Sequence, residues 1–238
     1  MKPSISIISP IYNDISTVPE FLPKLEKMVS NQFDRWEIVL VDDGSVDGSR
    51  AWVERYIRNK KYFRLRLHRK NLGIAKTYRE LYGQAKNDII VLFSLDGGWD
   101  PRDAVKLAQT VIDSGADIVV GVRKKKIYTP WRMVVSFFYN TLTQVIFGVT
   151  TMDAGSIKAF RREVVRKVPI ISNGVFDEAE RLIRAKRMGY SVSYIPIHHA
   201  YAKKVKLGIR FTHIVEACRD ATRLFSDIHM RSSKKVAD

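Results

Sequence analysis

No second cysteine exists in this chain of 238 residues. Cys218 stands alone, which excludes an intrachain disulfide framework and a cysteine-built zinc site and points to a reducing compartment. Its neighbours predict a core position on a helix. No signal peptide is expected either: Met1-Lys2-Pro3-Ser4 runs straight into a strand pattern with no apolar segment before it, and a cytosolic location is expected. Nor does any stretch offer the ~20 continuous apolar residues that a spanning helix needs. The nearest, Met133 to Val149, carries no charge but is broken by Ser136, Asn140, Thr141, Thr143 and Gln144. There is no Gly-rich loop ending in Lys-Ser or Lys-Thr and no GxGxxG after the first strand. P-loop phosphoryl transfer and a dinucleotide-dependent oxidoreductase therefore lack support.

Negative charge is scarce: 25 Asp and Glu face 41 Lys and Arg, a formal net charge of +16. A chain this basic suits phosphates, whether on nucleotides, nucleic acid or an anionic membrane. Its length and 45% hydrophobic content suffice for a full core in one large domain, or one domain with an elaborated end.

The stretch that organises the rest is Asp88 to Pro101. An apolar run too short for a helix, Ile89 to Phe93, leads to Ser94-Leu95-Asp96, two glycines and a fresh helix start, which reads as a buried parallel strand delivering Asp96 to an open edge. Ile5 to Ile8 and Trp36 to Val41 are strands of the same kind, ending in Tyr12-Asn13-Asp14 and Asp42-Asp43-Gly44-Ser45. Between them Thr17 and Glu20 form the pattern of a capping box, ahead of a helix with Val18, Phe21, Leu22, Leu25, Met28 and Val29 on one face. Asp47 can cap the next helix. Phe63, Leu65 and Leu67 alternate with Arg64, Arg66 and His68 as a half-exposed strand. Asn71-Leu72-Gly73 turns into a helix from about Ile74 to Ala85. Asp100, Pro101 and Asp103 make a favourable helix start, and Asp117 to Val122 is a further strand. This alternation predicts an α/β fold, a mostly parallel sheet covered by helices on both faces. Ligands in such sheets bind beyond the carboxyl ends of the strands, where three acidic loops converge.

The second half opens on the basic run Arg123-Lys124-Lys125-Lys126, a solvated loop or a membrane-facing one. The amphipathic segment 128–149 then packs on the sheet or lies at a bilayer interface. Thr151 to Phe160 is a polar turn leading into a strand or a helix start. A helix opens at Phe176-Asp177-Glu178, on which Glu178 and Glu180 cannot share a face. Val192 to Ile197 suggests a last strand, with His198 and His199 as strand-end residues rather than metal ligands. Phe211, Ile214, Val215, Cys218, Ala221 and Phe225 outline a final amphipathic helix before a frayed tail from Arg231. The expected division is a domain over 1–206, in halves 1–123 and 124–206, followed by a helix and tail over 207–238. Carboxylates at strand ends can hold a divalent cation that neutralises a substrate diphosphate, the combination needed to transfer a group from a nucleotide diphosphate.

Ser9-Pro10-Ile11-Tyr12-Asn13-Asp14, Val41-Asp42-Asp43-Gly44-Ser45-Val46-Asp47-Gly48-Ser49, Asn71-Leu72-Gly73 and Ser94-Leu95-Asp96 together resemble the successive signatures of inverting family 2 glycosyltransferases with the GT-A fold. The second half is similar to the dolichol- or polyprenyl-phosphate sugar synthase branch, through Asp153 to Arg162 and through Glu178-Ala179-Glu180 with Arg184 to Tyr190. The resemblance implies a nucleoside pocket lined by Pro10, Tyr12, Asp14 and Asp42, with Asp43 bordering ribose and diphosphate and Lys203, Lys204 and Lys206 gripping the diphosphate. It implies Mg2+ or Mn2+ at Asp96, with Ser94 standing where the family's Asp-x-Asp motif has its first acid, a weaker ligand. Asp153, with Asp96, would be catalytic, as base or as the group orienting the acceptor. Arg123, Ser156, Lys158, Glu178 and Glu180 would lie on the acceptor side.

The implied reaction moves a hexose from a GDP-mannose or UDP-glucose type donor to a dolichyl or polyprenyl phosphate with inversion. Such an enzyme would sit peripherally on the cytoplasmic face of an anionic membrane, with room for a separate membrane-anchoring partner and no nucleic acid. Rival readings are transfer to a glycan hydroxyl and a relative weakened at Ser94. A non-enzymatic basic module is disfavoured by the acidic loops.

Overall fold

The computed structural model describes residues 3–123, 143–149, 152–174, 176–198 and 216–228. Seven strands, β1 (Ile5–Ile11), β2 (Trp36–Asp42), β3 (Phe63–Leu67), β4 (Ile89–Leu92), β5 (Ile118–Arg123), β6 (Lys158–Arg161) and β7 (Val192–Ile197), form one sheet in the order β3-β2-β1-β4-β6-β5-β7. All pairings are parallel except those of β6, which runs antiparallel between β4 and β5. The central strands are apolar along both faces because both are covered. Side chains alternate across the pleat: Ile5, Ile7, Ile38, Leu40 and Val91 pack on one face, Ile8, Val39, Val41, Ile90 and Leu92 on the other.

Helices α1 (Val18–Gln32) and α4 (Pro101–Ser114) cover the first face, through Val18, Leu22, Leu25 and Val29 and through Ala104, Leu107, Ala108 and Val111. On the second face lie α3 (Ile74–Gln84) and α6 (Asp177–Arg187), with Leu81, Tyr82, Ala179, Leu182 and Ile183 in its core. The short helices α2 (Ser49–Ile57) and α5 (Arg162–Lys167) complete the connections. Residues 143–147 are helical too, and Phe147 and Val149 enter the second core while Val145 stays exposed. The rest of the expected amphipathic segment lies outside the described residues, as does the expected boundary at 206. No helix among the described residues is long and apolar enough to cross a membrane.

The start of α4 is as expected: Asp100 accepts Arg102 N at 2.9 Å, Pro101 opens the helix and Gly115 closes it in the left-handed region. Asp103 does more than complement the helix dipole. It is buried and accepts His198 N at 2.9 Å, tying the end of β7 to α4.

Three local expectations fail. No capping box forms at α1, because Thr17 turns its hydroxyl back to Asp14 O, which also receives Thr17 N and Val18 N, and Glu20 pairs outward with Lys24. His68 is not on the solvent side of β3 but buried beyond its end. Residues 216–228 are helical, but they dock through Ala217, Ala221, Leu224 and Ile228, spaced by four, three and four, and not through Cys218 and Phe225, which are exposed. An ion pair of 2.8 Å between Arg184 and Asp227 holds that rotation.

Gly44 has a φ of 79°, and a β-carbon there would stand 2.4 Å from the Lys70 carbonyl carbon. Gly115 has a similar φ of 70° but open space around it. Gly44→Ala is expected to lower the unfolding free energy by about 3 kcal/mol and Gly115→Ala by about 1 kcal/mol. Urea denaturation checks this; equal losses would contradict the close packing of the two loops.

Candidate active site

Because β1 to β5 run parallel, their carboxyl ends reach one edge of the sheet, and β6, running the other way, begins there. That edge receives Tyr12-Asn13-Asp14, Asp42-Asp43, His68, Ser94-Asp96, Arg123 and the Asp153–Lys158 turn. The loops after β1 and β2 are stitched together. Asn13, at a φ of 54°, donates its N–H to Ser45 Oγ at 3.0 Å and accepts Val46 N at 2.9 Å through Oδ1. Asp14 N donates to Ser49 Oγ, and Ile15 N to Asp47 Oδ2 at 3.0 Å. Burial would raise the Asp47 pKa, but the Ser49 hydroxyl and the Ile15 and Ser49 amides outweigh it and hold the carboxyl below its usual range. The Gly-Ser-Val-Asp-Gly-Ser run is thus largely joinery.

Asp42 is buried. Its Oδ1 accepts Ser45 N at 3.1 Å and the Arg50 guanidinium at 2.8 and 3.0 Å, while its buried Oδ2 has no hydrogen-bond partner among the described residues. An acceptor left open in a buried wall can take a donor from a water or a ligand. Asp43 is filled from within: Oδ1 accepts Leu72 N at 2.8 Å and faces His68 Nδ1 at 2.7 Å, and Oδ2 accepts Gly73 N at 3.0 Å. The other ring nitrogen of His68 faces Glu80 at 3.1 Å, and Arg66 holds Glu80 at 2.7 Å. Burial pulls the His68 pKa down, but the two carboxylates more than reverse it, and the net shift is upward.

Tyr12 is exposed and Pro10 half-buried beside it, while Asp14 accepts Tyr12 N at 3.1 Å. Asp96 is exposed, with Oδ1 accepting Gly98 N at 2.9 Å, and Ser94 is half-buried two residues before it. No group of three or more His, Cys, Asp or Glu side chains gathers to hold a metal among the described residues. One open carboxylate with a neighbouring hydroxyl fits Mg2+ or Mn2+ of the kind that draws its other ligands from water and substrate phosphates.

Asp153, with a φ of 55°, is buried in an ion pair with Arg123. It accepts Arg123 N at 2.9 Å, Nε at 3.0 Å and Nη2, and the guanidinium lies 5.7 Å from the Trp99 ring centroid. Ser156 N donates to Asp153 O at 2.8 Å, and the Ser156 hydroxyl is buried without a partner among the described residues. Lys158 is fully buried, 2.7 Å from Glu178, which also accepts the Tyr82 hydroxyl at 3.1 Å. Burial would raise Glu178, but Lys158 and Arg181 override it and hold it down. Burial and the Glu178 charge push neighbouring Asp177 up to about 7. Glu180 points elsewhere, as the helical spacing required, accepting Ser172 N at 2.8 Å and Arg184 at 2.6 Å as an internal anchor. Lys203, Lys204, Lys206 and His199 lie outside the described residues.

Arg50 and His68 are partners that sequence reasoning missed. His68 follows an alternating strand whose pattern pointed it outward, and Arg50 lies eight residues from Asp42 with no motif to join them.

The family model described as glycosyl transferase family 2 matches residues 6–169. Among curated proteins, the chain is 30% identical over 163 residues to the undecaprenyl-phosphate 4-deoxy-4-formamido-L-arabinose transferase of Pseudomonas savastanoi pv. phaseolicola, covering 68% of this chain and 48% of that protein. For the same-named protein of Pseudomonas aeruginosa the identity is 26% over 182 residues, covering 71% and 53%. The chain thus spans about half the length of the curated relatives it matches. Among solved structures, glucosyl-3-phosphoglycerate synthase from Mycobacterium tuberculosis, with Mn2+, UDP and phosphoglyceric acid, superposes at a TM-score of 0.70 and 16% identity, over 93% of this chain and 77% of that one. The mannosyltransferase PcManGT of Pyrobaculum calidifontis, with GDP-Man and Mn2+, gives 0.66 and 21%, over 94% and 65%. These likenesses establish the fold, the GT-A architecture expected above.

His68 yields a signed pH prediction. A histidine whose pKa is raised in the folded state stabilises fully below its unfolded value, and that contribution disappears as pH rises through the folded value. The unfolding free energy of the native chain should exceed that of His68→Gln by about 2 kcal/mol at about pH 6 and by much less at about pH 9. Denaturant titrations at both pH values measure it, and a pH-independent gap would contradict an imidazolium between Asp43 and Glu80.

Proposed function

The chain belongs to glycosyl transferase family 2, and on that premise we propose that it moves a hexose from a nucleotide-diphosphate sugar of the GDP-mannose or UDP-glucose type to a polyprenyl phosphate, with inversion. The observation that carries this reading is the convergence on one sheet edge of the open Asp42 oxygen, exposed Asp96 and the Arg123–Asp153 pair. The curated relatives are named as undecaprenyl-phosphate transferases, which supports the acceptor class.

In this mechanism Asp42 Oδ2 accepts an N–H of the nucleotide base, beside exposed Tyr12. The donor diphosphate lies over Asp96 and Ser94, which would hold Mg2+ or Mn2+; the ion would supply positive charge for the departing group. An acceptor phosphate is already ionised near neutral pH, so its oxygen attacks the anomeric carbon without a strong base. The new carbon–oxygen bond forms on the face opposite the leaving group, and the old bond's electron pair departs with the nucleotide diphosphate. Asp153 has both oxygens engaged by Arg123 and acts as an orienting group, holding that guanidinium toward the acceptor phosphate. The work is done peripherally, at the cytoplasmic face of the membrane. Transfer to a glycan hydroxyl would instead require a proton acceptor, and Asp177, with a pKa pushed up to about 7, is the described acid with that capacity. Asp177→Asn leaving lipid-phosphate transfer near its native rate would separate the two readings.

Asp96→Asn is expected to lower kcat by on the order of 100-fold or more, and Ser94→Asp to lower the cation concentration needed for half-maximal rate. Both are read by donor-dependent labelling of a polyprenyl-phosphate extract. No transfer from any nucleotide sugar to a lipid phosphate, by protein shown to be folded, would refute the proposal.

A further inference from the structure

We propose that the outer rim of the catalytic edge, formed by Val46, Leu67, Arg69, Lys70, Ile74 and Lys76, is a docking surface for an anionic lipid bilayer. Its purpose rests on the lipid-phosphate acceptor proposed above, but its test does not. β3 is one of the two outer strands of the sheet, and its end, the following loop and the first turn of α3 stand at the same edge as Asp43 and Asp96. Three aliphatic side chains are left in water there: Val46 is 89% exposed, Leu67 40% and Ile74 41%. Singly such exposures are ordinary; gathered beside unpaired cations they form the apolar-plus-basic pattern of an interfacial surface.

Arg69, Lys70 and Lys76 are exposed and have no ion-pair partner among the described residues, unlike nearby Arg50, Arg64 and Arg66. With Arg66, Leu67 and Glu80 they line an open groove of about 510 Å³. Its acid, Glu80, is already claimed by Arg66 and His68, so the groove keeps its positive charge. The loop bearing Val46 is also braced on Lys70 and Asn71, where Gly44 leaves no room for a β-carbon. Cations and aliphatic groups are therefore presented on one rigid platform. A nucleic acid would use the cations but has no use for the aliphatic groups; a bilayer uses both.

The test is co-sedimentation of the full chain with phosphatidylcholine vesicles, with and without phosphatidylglycerol. Binding should require the anionic lipid and weaken with salt. R69Q/K70Q/K76Q should lower partitioning on the order of 100-fold, from ~1 kcal/mol per cation at 1.4 kcal/mol per decade, and R69K/K70R/K76R should restore it. L67S/I74S, with charge unchanged, should lower it about tenfold. Transfer to a short, water-soluble prenyl phosphate without vesicles should stay at the native rate in every variant. Equal binding to neutral vesicles, or no loss in the charge variant, would overturn the proposal. So would loss of transfer to the soluble acceptor in the charge variant, which would assign the cations to the donor pocket. Unchanged binding of L67S/I74S with displacement by a single-stranded oligonucleotide would do so too, in favour of nucleic acid. If the native chain binds anionic vesicles but transfers nothing, the docking surface stands and the proposed transfer fails.

Discussion

The carboxylate of Asp43 is the joint on which the β1–β3 side of the molecule depends. It receives the amides of Leu72 and Gly73 and faces His68 at 2.7 Å, so one side chain at the end of β2 fixes the end of β3 and the entry to α3. Buried amides and an imidazolium left without this acceptor would each carry a desolvation cost larger than the bond itself is worth. The loop so fixed lies against Gly44, and the loop of Gly44 carries Ser45 and Val46 to Asn13. The wall that leaves Asp42 Oδ2 open is therefore set by backbone geometry rather than by flexible side chains.

Electrostatically, four acids of the edge are matched to cations. Asp42 is held by Arg50, Asp43 by His68, Asp153 by Arg123 and Glu178 by Lys158. Among the described residues Asp96 has only the amide of Gly98, and it stands in solvent. In a chain with a net charge of +16, an exposed carboxylate beside neutralised ones is where the proposed reaction would place its cation. Ser94 sharpens the point, since a hydroxyl and one carboxylate leave most of a hexacoordinate ion's ligands to water and to a diphosphate.

The strands that deliver these groups were legible because unbroken apolar runs ended abruptly in acids, and α4 because its cap, proline and closing glycine all agree. The antiparallel β6 was half legible, as a strand or a helix start, since Lys158–Arg161 is too short to show a period and opens with a lysine that the fold buries against Glu178. The last helix misled because two apolar stripes overlap in it, and only the partner surface on α6 selects Ala217, Ala221, Leu224 and Ile228. At the site, the acids were found as residues, and so were Arg123 and Lys158, but Arg50 and His68 were not. Arg50 and His68 meet Asp42 and Asp43 by tertiary packing, across separations with no local pattern.

On the proposed reading, the cation site is completed by the substrate's diphosphate and is weak without it. Calorimetric titration of Mn2+ into the full chain, with and without UDP or GDP, tests this directly. Binding should be weak to the protein alone and tighten at least tenfold with the nucleotide, by the coupling that linked ligands share. Equally tight binding without any nucleotide would contradict the account.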